Sequence, residues 1–203
     1  MSRSLCAFGN NQEGQLGTST VSEAECVPLE ISNIILDELA HMVLNRKQSV
    51  IVNKDGSVYN CGDNDNNELG RSGKRSQFRR IQLLETDSIV DFSLGDNGWS
   101  IALANQGGLY SWGVNSMGEL GNGTRERVDK PKPNGKLTGS CSGSCVHLVS
   151  GGRHSVAITR TVGVVSWGTN RKGQLGTDSS VLQQQYLSTS SNLTATTNSV
   201  ASS

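Results

Sequence analysis

The sequence predicts an all-β fold, a partial β-propeller of four-stranded antiparallel blades. Three observations predict it. A nine-residue loop motif occurs four times in the 203-residue chain, the first glycines of its copies lie 53, 51 and 55 residues apart, and short β-branched runs precede three of the copies. A period of about 50 residues with several short strands fits a propeller blade better than a helical or leucine-rich repeat, whose periods are shorter.

The loop motif has the form Gly-x-Asn-x-x-Gly-Gln/Glu-Leu-Gly. The side chain of its third residue, Asn, is expected to hydrogen-bond the backbone of its own turn. The sixth residue is Gly in three copies and Asn67 in the second copy, which predicts a left-handed backbone conformation. The eighth residue, Leu, is expected to enter the core. The structural positions are Gly9, Asn11, Gly14, Leu16, Gly17, Gly62, Asn64, Leu69, Gly70, Gly113, Asn115, Gly118, Leu120, Gly121, Gly168, Asn170, Gly173, Leu175 and Gly176.

Hairpin patterns lie upstream of three of the loops. Short runs rich in Val, Ile and Leu are separated there by turns that contain Gly, which is typical of antiparallel strand pairs. The pairs are 50–52 with 58–59, 101–103 with 109–112, and 156–158 with 164–167. The residue before the first Gly of each loop is Phe8, Cys61, Trp112 or Trp167, and we expect it to anchor the core between stacked sheets.

Composition and charge exclude several classes of protein. Gly is abundant, at 24 residues, while Pro numbers three, which indicates many turns and neither collagen nor a proline-rich linker. Lys and Arg balance Asp and Glu at 18 each, so nucleic acid and membrane partners are not expected. The sequence has no signal-peptide pattern and no apolar run of membrane-spanning length. Five irregularly spaced cysteines fit a reducing compartment, so we expect a cytoplasmic or nuclear location.

A basic segment is the candidate partner contact. It contains Arg71, Lys74, Arg75, Arg79 and Arg80, five cations within ten residues. Such a cluster can bind an acidic protein surface or a phosphate backbone. The alternative is a solvated loop between blades.

No catalytic or cofactor site is predicted. Cys141, Cys145 and His147 could form part of a metal site, but a fourth ligand is lacking nearby, and a Gly/Ser-rich loop with free thiols is the expected structure. His41, His147 and His154 lie in different repeat contexts, and no Ser or Cys stands beside a suitable base. The sequence therefore predicts a protein that is not an enzyme and binds no cofactor or metal.

The loop motif, the hairpins ending in Trp-Gly and the segment Gly151–Ser155 together resemble the repeat of the regulator of chromosome condensation (RCC) family. The resemblance covers residues 5–178 and is closest to the N-terminal domain of HECT-type ubiquitin ligases. It implies blades of a seven-bladed propeller, of which this sequence shows about four. It also implies, from the founding member of the family, guanine nucleotide exchange on a Ran-like small GTPase as one candidate activity.

The predicted organisation is a propeller arc over residues 1–178 followed by a disordered Ser/Thr/Gln/Asn-rich tail over 179–203. The favoured function is a non-catalytic protein-interaction scaffold, as a fragment or truncated form of a larger regulator. Exchange on a Ran-like GTPase and a substrate or adaptor role for a HECT ubiquitin ligase are the alternatives. The expected partners are proteins, among them a small GTPase or a ubiquitination substrate, and the open blade edges would allow self-association.

Overall fold

The chain folds into short antiparallel sheets, as predicted. The computed structural model describes residues 4–31, 38–82, 88–135, 145–160 and 163–176, and the backbone of 183–189. The strands within these residues are β1 (Cys6–Asn10), β2 (Ala24–Glu30), β3 (Leu39–Leu44), β4 (Gln48–Asn53), β5 (Val58–Gly62), β6 (Arg79–Arg80), β7 (Ile89–Gly95), β8 (Trp99–Ala104), β9 (Leu109–Gly113), β10 (Val128–Pro133), β11 (Cys145–Ser150), β12 (His154–Thr159), β13 (Gly163–Thr169) and β14 (Gln183–Thr189). Among these residues, no helix is long and apolar enough to cross a bilayer.

Each full sheet is a four-stranded meander in which neighbours in sequence are neighbours in space. The sheets are β3–β4–β5–β6, β7–β8–β9–β10 and β11–β12–β13–β14, and all their strands pair antiparallel. The three predicted hairpins are β4–β5, β8–β9 and β12–β13. In each sheet the loop motif begins as the third strand ends. By that criterion β1 and β2, which form a sheet of two strands, correspond to the third and fourth strands of a blade.

The sheets stack through their first strands. The first strand of the second full sheet, β7, contacts β3 and β4 on one side and β11 on the other. An apolar cluster fills each of the three sheet–sheet junctions. This arrangement of successive four-stranded sheets is that of neighbouring propeller blades.

Alternation along the second strand of each sheet determines which neighbour a side chain meets. On β8, Ala102 belongs to the cluster shared with the preceding sheet, whereas Ile101 and Leu103 belong to the cluster shared with the following sheet. All three residues are at most 1% exposed, because this sheet is covered on both faces. We call the two sides of a sheet its incoming face, toward the preceding sheet, and its outgoing face, toward the following one.

Tryptophans of the incoming faces hold the junctions together. Trp112 donates its indole Nε1–H to the backbone carbonyl of Glu68 in the preceding loop motif at 2.8 Å, and Trp167 does the same to Glu119 at 2.8 Å. Both rings are fully buried. The last Gly of the preceding loop lies directly against each ring, since a Cβ at Gly70 would be 2.7 Å from Trp112 Nε1. The prediction of a core anchor is confirmed for these two residues.

Cys61 takes the same place in the first full sheet and is also buried. Its thiol donates to the carbonyl of Gln15 at 3.3 Å, just as the two indoles donate to the carbonyls of Glu68 and Glu119. Because the thiol is much smaller than an indole, Phe78 fills the remaining space, and a Cβ at Gly17 would lie against its ring. Burial raises the pKa of the Cys61 thiol to about 12, so it stays protonated and behaves as a small hydrophobe in the predicted anchor position.

Two predictions about core and tail are wrong in part. Phe8, the fourth expected anchor, is 66% exposed, because among the described residues no sheet packs on its side of β1. Residues 183–189 of the predicted disordered tail form β14, since their backbone pairs with the free edge of β13 and needs no apolar burial to do so. The rest of the tail lies outside the described residues.

Candidate protein-binding surface

The four loop motifs share one internal hydrogen bond. The side-chain Oδ1 of the Asn accepts from the backbone N–H of the Leu five residues later, at 3.2, 2.9, 2.9 and 3.0 Å in chain order. The sixth residue has a positive φ in every copy, including 59° at Asn67. Leu69 and Leu120 are fully buried. The Asn hydrogen bond and the left-handed turn thus recur in all four loops. The Leu is buried in three of them, and Leu16 of the first loop is half-buried.

The recurring Gln or Glu of the motif also has a structural role, which the sequence reasoning missed. Its side chain accepts a hydrogen bond from the backbone N–H two residues earlier, at 3.0 Å for Gln15, 2.7 Å for Glu68 and Glu119, and 2.8 Å for Gln174. This role could have been predicted, because the position is always Gln or Glu. Both side chains carry an acceptor oxygen at the same distance from the backbone.

The structural role of Glu68 can be tested through the pH dependence of stability. Burial raises the pKa of its carboxyl, with the nearby Asp63 and Asp65 acting in the same direction. The folded state therefore holds this proton more tightly than the unfolded state, so the carboxyl destabilises the fold as pH rises above its ordinary pKa of 4.5. We expect Glu68→Gln to increase the free energy of unfolding at pH 7, and the gain to shrink as pH falls toward 4.

The measurement is urea denaturation of both chains between pH 4 and pH 8, followed by intrinsic fluorescence. The reverse change at the equivalent place, Gln15→Glu, is the matched control and should lower stability at pH 7. A gain for Glu68→Gln that is the same at every pH would contradict the assignment of a buried carboxylate.

Arg71 of the basic segment is committed to the fold. Its Nε donates to Asn60 Oδ1 at 2.6 Å, and its Nη2 donates to the carbonyls of Asn60 and Gln77 at 2.5 and 3.1 Å. Burial lowers its pKa to about 10, which leaves it charged at neutral pH. Arg71 thus fixes the loop between β5 and β6. Its charge also adds to the positive charge of the loop surface.

The other cations of the segment divide into two groups. Arg75 forms ion pairs with Glu13 at 3.1 Å and Asp65 at 3.7 Å, which tie it to the two neighbouring loop motifs. Lys74, Arg79 and Arg80 are exposed. Arg79 donates to Gln77 Oε1 at 3.3 Å. The alternative of a wholly solvated loop is thus too simple, while the role of the segment in partner contact stays a prediction.

A groove lies where β6 and β10, the outermost strands of neighbouring sheets, approach each other. Its volume is about 790 Å³, and it is bordered by Arg71, Arg79, Arg80 and Lys130 together with several amide and hydroxyl groups. Asp129 is the one carboxylate among the residues that line it, and it accepts hydrogen bonds from Asn67 at 2.9 Å and Arg127 at 2.9 Å. The groove therefore carries a net positive charge, which the neutral chain as a whole does not.

The candidate metal residues do not assemble. Cys145 lies at the start of β11 instead of in a loop, is buried, and donates its thiol to the carbonyl of His147 at 3.6 Å. The His147 ring pairs with Asp91 at 2.8 Å across the junction of β7 and β11. Cys141 lies outside the described residues. Across the ranges that the structure covers, no cluster of three His, Cys, Asp or Glu has metal-site geometry.

Asp91 links the first strands of the three full sheets, a feature that the sequence reasoning also missed. Its carboxylate accepts from the backbone N–H of Leu148 at 3.0 Å and lies 4.0 Å from the His41 ring. His41, Asp91 and His147 each follow a bulge in β3, β7 and β11, so they occupy equivalent places along the axis of the arc. They connect neighbouring sheets and form no catalytic set with His154, which stands on β12.

Comparison with known proteins identifies the repeat. The family model described as the regulator of chromosome condensation (RCC1) repeat matches residues 106–158. That segment runs from the turn before β9, through the third loop motif, to β12. The chain is built from RCC1 repeats.

Relatives and solved structures extend the similarity to most of the chain. The human E3 ubiquitin-protein ligase HERC2 is 30% identical over 174 residues, which cover 84% of this chain and 4% of HERC2. Human WBSCR16 superposes with a TM-score of 0.75 at 21% identity, over 90% of this chain and 47% of that one. Prp20p of Saccharomyces cerevisiae gives a TM-score of 0.73 at 21% identity, over 90% and 45%. The RCC1 repeats of this chain thus have the β-propeller fold, and they span a small part of HERC2.

Proposed function

We propose that the RCC1 repeats of this chain form a non-catalytic scaffold that binds proteins, and that the basic groove between β6 and β10 binds an acidic segment of the partner. The groove carries the proposal. It is open, has a volume of about 790 Å³, and sets four cations against one carboxylate. Hydrogen bonds to Asn60 and Gln77 hold Arg71 in place, so this cation needs little further ordering on binding, which favours affinity.

The repeat loops also separate residues that hold the fold together from residues that can contact a partner. Their Asn, Leu and Gln or Glu side chains are used inside the fold, as the hydrogen bonds of the third loop show for Asn115 and Glu119. Recognition is therefore assigned to the segments between the loops and the outer strands, where the exposed cations lie. Variable surface segments on a rigid repeat scaffold are a common site of protein binding.

A peptide selection tests the groove. Random 12-residue peptides displayed on phage are selected on the purified chain, and those enriched are made with a fluorescent label. We expect acidic peptides, whose binding weakens as salt rises. Arg79→Glu combined with Arg80→Glu should reduce affinity at least tenfold, because it replaces two attractions with two repulsions.

Arg160→Glu combined with Lys172→Glu changes the net charge by the same amount at two exposed positions outside the groove. This control should retain binding. Equal losses in both double variants, or enrichment of peptides without acidic residues, would contradict the groove as the binding site.

The relatives support two finer proposals. HERC2 is named an E3 ubiquitin-protein ligase, so this chain is proposed as a substrate or adaptor module of such a ligase. Prp20p is described by its binding to Gsp1p and histones, so a contact with a Ran-like GTPase is the second proposal. Release of fluorescent GDP from Ran separates them, because an adaptor leaves the release rate unchanged. Either role is compatible with the proposed cytoplasmic or nuclear location.

A further inference from the structure

The second loop motif differs from the first and third at its Asn, and this Asn lines the basic groove. In the first loop, Asn11 donates its side-chain Nδ2 to the carbonyl of Thr20 at 3.2 Å. In the third loop, Asn115 donates its Nδ2 to the carbonyl of Glu126 at 3.1 Å. Asn64 of the second loop is half-buried, and its Nδ2 donates to no group among the described residues. Its amide is therefore a spare donor at the groove.

Arg71 accounts for this difference. In the first and third loops, the chain that follows the motif supplies the carbonyls that the Asn binds. In the second loop, the guanidinium of Arg71 binds that part of the chain instead. Its Nη1 donates to the carbonyls of Ser72 and Lys74, both at 3.3 Å, and its Nη2 donates to the carbonyl of Gln77 at 3.1 Å. The amide of Asn64 is left without these partners.

The groove is a feature of the junction between two full sheets. After β6, Ile81 donates its backbone N–H to the carbonyl of Val58 at 2.9 Å. At the start of β7, Ile89 donates to the carbonyl of Gly56 at 3.2 Å. Both contacts lie at the turn between β4 and β5, which is the end of the sheet opposite to Asn64. The chain thus passes from one sheet to the next away from the Asn64 amide.

Cations surround the spare donor. Those that line the groove are Arg71, Arg79, Arg80 and Lys130. The carboxylate of Asp129 does not neutralise them, because it is paired at 2.9 Å with Arg127, which is not among the lining residues. Three of the four cations are guanidinium groups, whose N–H groups match the oxygens of carboxylates and phosphates.

This combination of charge and donors fits a phosphate better than a carboxylate. A carboxylate brings one negative charge and two oxygens, whereas a phosphomonoester brings about −1.5 to −2 charge and three strong acceptor oxygens. Arginine clusters are a recurring means of recognising phosphorylated segments. An amide donor beside several guanidinium groups supplies the additional contacts that a third oxygen requires.

We propose that the groove binds a phosphorylated serine or threonine of a partner protein, with the Asn64 amide donating to the phosphate and Arg79 and Arg80 opposing its charge. This rests on the proposed function, because it names the chemistry of the acidic segment that the groove binds. It also gives Asn64 a role that Asn11 and Asn115 cannot share, since their amides are used inside the fold.

Fluorescence anisotropy with matched peptides tests the proposal. A degenerate library of seven-residue peptides with a central phosphoserine is selected on the purified chain. The enriched sequence is then made with phosphoserine, glutamate or serine at its centre. We expect the phosphoserine form to bind about tenfold more tightly than the glutamate form, because it carries more charge and one more acceptor oxygen. The serine form should bind most weakly.

Asn64→Asp is the decisive variant. Its remaining Oδ1 can still accept from the N–H of Leu69, while the donor is replaced by an oxygen that repels phosphate. We expect it to weaken binding of the phosphoserine peptide about tenfold. Asn105→Asp, at an exposed position outside the groove, adds the same charge and should retain binding. In urea, Asn115→Asp should lower the denaturation midpoint more than Asn64→Asp, because only Asn115 loses hydrogen bonds inside the fold.

The outcomes separate this proposal from the proposed function. Equal affinity for the phosphoserine and glutamate forms would overturn phosphate recognition and leave an acid-binding groove in place. Absence of binding by every form would contradict both. A preference for phosphoserine that survives Asn64→Asp would overturn the role of Asn64. A single-stranded RNA of 12 nucleotides that binds as tightly as the phosphoserine peptide would indicate a nucleic acid ligand and overturn the proposal.

Discussion

Trp112→Ala is expected to destabilise the protein by about 3–5 kcal/mol, as large aromatic truncations in cores do. Three contacts are lost together. The ring fills the junction between the first two full sheets, its Nε1–H satisfies the Glu68 carbonyl, and Phe92 packs edge-on against it at 5.6 Å. Since whole domains are stable by about 5–15 kcal/mol, the variant should lose a large share of its free energy of unfolding.

Urea denaturation at 25 °C measures this loss. Trp112→Phe is the matched variant, because it keeps most of the volume and removes the indole N–H. We expect it to cost about 1–2 kcal/mol, the loss of one hydrogen bond and a little packing. A cost below about 1 kcal/mol for Trp112→Ala would mean that the sheets do not depend on this anchor.

Gly62→Ala is expected to cost about 3–5 kcal/mol, the sum of backbone strain and overpacking. Gly62 has a φ of 115°, which L side chains rarely adopt, and an added Cβ would lie against the carbonyl oxygen of Lys47. Because that oxygen belongs to the backbone, it cannot turn away as a flexible side chain would.

The first loop motif supplies the matched control. Gly9 stands at the same place with a φ of 110°, but a Cβ there would meet no described atom within 4 Å. Gly9→Ala should therefore cost about 1–2 kcal/mol, from strain alone. Thermal denaturation of both variants gives the comparison. Equal losses would show that the approach of Lys47 to Gly62 is not a tight contact.

Much of this architecture could be predicted because the repeat is local. The Asn, Gly and Leu of the motif act within nine residues, so their spacing alone revealed the turn. The hairpins could be predicted for the same reason, since each pair of short β-branched runs and the Gly-containing turn between them lie within one repeat. β14 could not be predicted in this way, because Gln and Ser side chains give no strand pattern and the free edge of β13 decides its conformation.

The candidate surface was less accessible to sequence reasoning. Five cations in ten residues suggested one patch, but the fold half-buries Arg71, pairs Arg75 with carboxylates and leaves the others exposed. Lys130, which completes the groove, comes from the next repeat 50 residues later. The exchange of an indole for Cys61 plus Phe78 was hidden for the same reason, since two positions in one repeat share the volume of one side chain in the next.

Hydrogen exchange at four amides tests the central claim, that the four loops are equivalent turns of neighbouring propeller blades. The amides are those of Leu16, Leu69, Leu120 and Leu175, each bonded to the Asn of its own loop. We expect all four to exchange at least a hundredfold more slowly than in an unstructured peptide, and Asn64→Ala to remove protection at Leu69 first. Unprotected exchange at two or more of them in the folded chain would contradict the account.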